Sequence, residues 1–63
     1  MKKIFDNFTG QWIKKIDPET LEITHTENEE TAQGFDITEY LYFVFELNNK
    51  EARFGRPKDR QPK

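Results

Sequence analysis

The chain has 63 residues, no cysteine, 35% charged side chains and 33% hydrophobic ones. Such a chain is one small domain of marginal stability, because it buries only about 60% of the surface it exposes when unfolded. A disulfide framework and a cysteine-based zinc site are excluded, and no run approaches the ~18 apolar residues of a membrane span.

The formal net charge of −2 conceals a segregation. Residues 1–16 carry Lys2, Lys3, Lys14 and Lys15 against Asp6, a net +3. Residues 17–51 carry ten carboxylates against Lys50, a net −9. Residues 52–63 carry Arg53, Arg56, Lys58, Arg60 and Lys63 against Asp59, a net +4. An acidic middle between basic ends bears on partners and solubility rather than on fold.

In chain order, Met1 to Asp6 opens like a signal peptide, but no apolar core follows, so a cytoplasmic location is expected. Thr9-Gly10 then breaks the chain. Trp12-Ile13-Lys14-Lys15-Ile16 is aromatic and β-branched and reads as a strand. Asp17-Pro18-Glu19-Thr20 is a turn signal, with Asp to accept backbone N–H groups and Pro to preset φ. Leu21 to Thr26 alternates apolar and polar, which predicts a half-buried strand. The segment 12–26 is therefore a β-hairpin, with Leu21 and Ile23 facing the core and Glu22, Thr24 and Thr26 facing solvent.

Thr26 with Glu29 fits a capping box and predicts a short helix over 27–33, with Ala32 inward and Gly34 as a left-handed C-cap. Asp36 as N-cap, Glu39 at N3 and the Phe35/Tyr40 staple predict a second helix over 37–47. A rival reading stays open. Tyr40 to Phe45 is a continuous run of strand formers, and Asn48-Asn49 would turn it back into Lys50–Phe54. The last nine residues, from Gly55, have no apolar side chain besides proline and read as a disordered basic tail.

The expected fold is α+β: one domain over 1–54, in which a hairpin, or a three-stranded sheet using 3–6 or 51–54, packs against one main helix. The expected core is Ile4, Trp12, Ile16, Leu21, Ile23, Ala32, Phe35, Ile37, Leu41, Val44 and Leu47.

Gly10-x-Trp12, Asp17-Pro18-x-Thr20, Thr24-x-Thr26, Ala32 and Phe35 stand in an order that resembles small uncharacterised accessory proteins of phages and prophages of Gram-positive bacteria. The resemblance covers roughly residues 3–48, on turn and core residue types. It implies a mobile-element accessory protein and carries no functional residue with it.

Chemistry-bearing residues are few. His25 is the single histidine, and no spacing gives it a catalytic partner or a ligand set, so it reads as a sheet-end residue. Glu27, Glu29 and Glu30 lack the spacing of a calcium loop. They suit the positive end of a helix, or an acidic face for a basic partner, including one that mimics the phosphates of DNA. Gly55-Arg56-Pro57-Lys58 resembles half of an AT-hook, with Phe54 in place of the first arginine. Weak, salt-dependent DNA binding through Arg53, Arg56, Lys58 and Arg60 is therefore the alternative function.

Nine aromatic residues are many for so polar a chain. A helix buries one face, so the run from Tyr40 to Phe45 leaves some of them exposed, with Tyr42, Phe43 and Phe45 as candidates for a partner surface. No phosphate loop, nucleophile elbow or paired catalytic carboxylate frame is present, and a fold of this size leaves little room for a pocket of ~300 Å³ or more. The expectation is a non-enzymatic protein-interaction module without cofactor or metal. It would present Glu27, Glu29, Glu30, Tyr42, Phe43 and Phe45 to an unidentified protein, with a homodimer as a further outcome.

Overall fold

The computed structural model describes residues 1–57. Four strands form, β1 (Phe5–Asp6), β2 (Gln11–Ile16), β3 (Ile23–Thr26) and β4 (Phe54–Gly55), with one α-helix, α1 (Ile37–Lys50), between β3 and β4. The sheet order is β3-β2-β1-β4 and every pairing is antiparallel. The fold is α+β, as the sequence predicts, and both segments offered as a third strand are used. Gly55, expected to begin the tail, pairs with Phe5 instead. Its φ of 148° is a conformation that side-chain-bearing residues rarely adopt. Lys58, Arg60 and the rest of the basic tail lie outside the described residues.

The hairpin of β2 and β3 forms where predicted, around the Asp17 turn, which extends to Leu21. Asp17 Oδ1 accepts from the backbone of Glu19 at 2.8 Å and Thr20 at 3.4 Å. Those two bonds, that to Glu19 first, hold its carboxyl below the usual carboxylate range. Leu21 N–H reaches back to Asp17 O at 2.7 Å with Leu21 at φ 64°. Leu21 thus closes the turn, half-buried against the core, and β3 begins two residues later. A leucine in the left-handed region costs about 1 kcal/mol or more.

Trp12 and Ile13 are adjacent on a strand and so point to opposite faces, yet both are buried. The sheet is covered on both sides. On one face Ile4, Ile13, Ile16, Phe35, Leu47 and Phe54 form the main core, joined by Leu21, Ile23, Tyr40, Phe43 and Val44. On the other, Phe5, Trp12 and Ala32 pack together, the two rings edge-on at 4.9 Å. A register shift between Ile13 and Lys15 lets Ile13 and Ile16, three residues apart, share the first face. Gln33 satisfies the uncovered edge of β2 beside that shift. Its N–H donates to Ile13 O at 3.2 Å, and its Oε1 accepts from Ile16 N at 3.3 Å.

The predicted 27–33 helix shrinks to one 3₁₀ turn, Glu29–Thr31. Asn28, not Thr26, is its N-cap, accepting from Glu30 N at 2.9 Å. The turn ends at Ala32, which is buried as expected, and Gly34 is not in the left-handed region. A longer helix would break the bonds that Gln33 and Phe35 make to β2 and Lys2.

For residues 40–45 the helix is correct and the hairpin reading is not. Asp36 Oδ1 accepts from Glu39 N at 2.7 Å, and Glu39 Oε1 from Asp36 N at 3.3 Å, a complete capping box contributing about 1 kcal/mol. Asn48 does not turn the chain. It lies in α1 and fastens β4, its Oδ1 accepting from Arg53 N and Phe54 N at 2.9 and 2.8 Å and its Nδ2 donating to Phe54 O at 3.0 Å. The phase of α1 differs from expectation. Its inward residues are Tyr40, Phe43, Val44 and Leu47, whereas Ile37 and Leu41, expected in the core, are exposed. Phe5, Ile13 and Phe54 are core residues that the sequence reading left out.

Candidate functional site

Two places hold features beyond simple packing: a buried carboxylate at the β1–β2 turn, and the outer face of α1.

Asp6 ends β1 with no exposed surface. Burial alone would raise its pKa, but the hydrogen bond from His25, the Phe8 N–H, the Arg53 charge and the Thr9 N–H together hold it below its ordinary 3.8. His25 Nε2 lies 2.8 Å from Oδ2 and donates to the ionised carboxylate, which can only accept. Oδ1 accepts from Phe8 N at 2.9 Å and Thr9 N at 3.4 Å, closing a turn that Gly10 completes at φ 75°. Arg53 Nε stands 3.1 Å from Oδ1, off the line of a hydrogen bond but in charge contact.

Asp6 and His25 come together because Ile13 lies opposite His25 and all three share the helix-side face of the sheet. The sequence reading found no partner for His25. The partner is 19 residues away and two strands over, which no local spacing reveals. Arg53 is further fixed between the rings of Phe8 and Phe54, 5.0 Å from each, and pairs with Glu51. Asn7 ties the same corner, its Nδ2 donating to Arg53 O and Arg56 O at 3.3 and 2.9 Å. It is a buried ion cluster that joins β1, β3 and the segment before β4, with Arg53 Nε in charge contact but without a hydrogen-bond partner.

The outer face of α1 is different. Ile37 is 54% exposed, Leu41 59%, Tyr42 54% and Phe45 63%. These large apolar groups are clustered on one side of a helix rather than scattered singly over the surface. Of the predicted partner residues, Tyr42 and Phe45 lie on this face. Phe43 is half-buried instead, its ring 5.4 Å from Phe35. Glu27, Glu29 and Glu30 are exposed around the 3₁₀ turn. Ile37 and Leu41 belong to the face and were missed because they were assigned to the core.

Of the predicted nucleic-acid contacts, Arg53 is held inside the chain and Arg56 is exposed, whereas Lys58 and Arg60 lie outside the described residues. Two open grooves are larger than a fold of this size led us to expect. One of about 530 Å³ includes Met1, Lys3, Trp12, Glu29, Ile37 and Arg56; the other, of about 360 Å³, lies beside Phe8 and Arg53. Among the described residues no group of three or more His, Asp or Glu side chains could hold a metal ion, and no helix is long and apolar enough to cross a membrane.

Comparison with protein-family models, with curated proteins and with solved structures finds no match.

Proposed function

We propose that this protein is a non-enzymatic protein-interaction module whose contact surface is the outer face of α1. One observation carries the reading: Ile37, Leu41, Tyr42 and Phe45 are all more than half exposed on one side of a single helix. Each apolar side chain fully removed from water contributes about 1.5–3 kcal/mol, so a domain with few such residues stays marginal while these four remain uncovered. A partner supplies the missing cover. Glu27, Glu29 and Glu30 are exposed around the 3₁₀ turn, on the other side of the sheet from α1, and form no part of the four-residue strip. The DNA-binding alternative keeps Arg56 but not Arg53, whose charge is spent on Asp6 and Glu51.

A photo-crosslinking amino acid introduced at position 42 or 45 tests the reading in the producing cell. The expected result is crosslinked protein from both positions and none from a control at exposed Glu19. No crosslink from either position, or equal crosslinking from position 19, would overturn it.

A further inference from the structure

We propose that the occupant of this face is a second copy of the same chain, forming a weak two-fold dimer through α1. The inference rests on the reading of that face as a contact surface and names its partner.

At ~100° per residue, Ile37, Leu41, Asn48 and Phe45 form one line along α1, and Thr38, Asn49 and Tyr42 lie beside it. Every charged residue of the helix, Glu39, Glu46 and Lys50, falls together on the flank beyond Tyr42. A two-fold interface sets a patch against itself, so any charge near its centre meets its own sign. This strip carries none and is complementary to itself as it stands. A different charged partner would be selected by charges within the strip, and the strip offers none.

The four apolar side chains present on the order of 450 Å², at the size of a typical functional patch. Met1 is 88% exposed, lies beside Gly34 and borders the groove that Ile37 shares with Lys2, Lys3, Glu29 and Arg56, so the uncharged strip ends there. Two such patches bury roughly 900 Å² in total, below the ~1,200 Å² lower end of specific interfaces, which implies a weak dimer. The strip is centred on Leu41, so antiparallel helices crossing there set Ile37 of each copy against Phe45 of the other.

Sedimentation velocity across roughly 10 µM to 1 mM tests this, since weak interfaces populate that range. The wild-type protein is expected to approach twice the 7.6 kDa of one chain as concentration rises. Leu41→Lys and Phe45→Lys are each expected to stay monomeric throughout, with an unchanged circular dichroism spectrum because both side chains are exposed. Mixing Leu41→Lys with Leu41→Glu is expected to restore association, because the opposite charges meet at the two-fold axis. A wild-type monomer at every concentration would overturn the inference, as would a dimer that both lysine variants leave intact. If the wild type stays monomeric while positions 42 and 45 crosslink to another protein in the cell, the second copy is excluded and the contact surface stands. Absence of both signals removes both.

Discussion

Trp12 and Ile13 in β2 are adjacent apolar residues and both are buried, whereas three of the six apolar residues from Tyr40 to Phe45 in α1 stay more than half exposed. Hydrophobicity does not distinguish the two runs. Layering does. The centre of the sheet has α1 on one side and the 3₁₀ turn with Ala32 on the other, so both faces of β2 are covered. The helix is the outermost layer and has only the sheet beneath it. A strand run that is apolar on both faces therefore completes a core within one chain, and a helix run that is apolar all round keeps part of its apolar surface exposed.

Three substitutions break or sharpen that contrast. Phe35→Ala removes a fully buried ring that supports both β2 and Phe43, and is expected to destabilise the fold by about 4 kcal/mol in urea unfolding. Loss below 1 kcal/mol would mean that the helix-side core is not the one described.

Asp6→Asn leaves Arg53 and His25 facing a neutral group and is expected to cost about 3 kcal/mol. The pH dependence follows from the lowered pKa of Asp6. Its stabilisation is fully present above the ordinary 3.8 and is lost as pH falls through the lower folded value, so wild-type stability declines in acid. In Asp6→Asn that part of the decline is absent, which thermal melts between neutral and acid pH would show. A parallel acid decline in both proteins would assign it to other groups.

Phe45→Ser is expected to change the stability of the dilute protein by about 0.5 kcal/mol or less, because the ring touches mainly solvent there. A loss comparable with that of Phe35→Ala would place Phe45 in the monomer core.

The parts of this structure that were legible in the sequence are those set by neighbours. The Asp17 turn, the hairpin and the Asp36–Glu39 capping box all form where their residues announce them. Three features were not legible, each for a physical reason. The pairing of β1 with β4 joins residues about fifty positions apart, and two-residue strands carry no period to read. The register shift beside Lys14 places Ile13 in the core and cannot be inferred from alternation, since it interrupts it. The phase of α1 was undetermined because consecutive apolar residues satisfy several helical frames. The frame 40-43-44-47 keeps the spacing i, i+3, i+4, i+7 as well as one built on Ile37 and Leu41 does.

That choice of phase decides the candidate site. The exposure expected of Tyr42 and Phe45 is found because they lie outward in the frame that α1 adopts, whereas Phe43 lies inward. Nothing local to Asp6 announced its burial, because its partners His25 and Arg53 arrive from distant parts of the chain.

In the proposed dimer the outer face of α1 is covered by a second copy, while the sheet completes its core within one chain. Backbone amide and side-chain NMR shifts followed through a dilution series test this most directly. Ile37, Leu41, Tyr42 and Phe45 are expected to move together with concentration, while Ile4, Ile13 and Trp12 stay fixed. Concentration-independent shifts along α1, or movement confined to the exposed edge of β3, would contradict it.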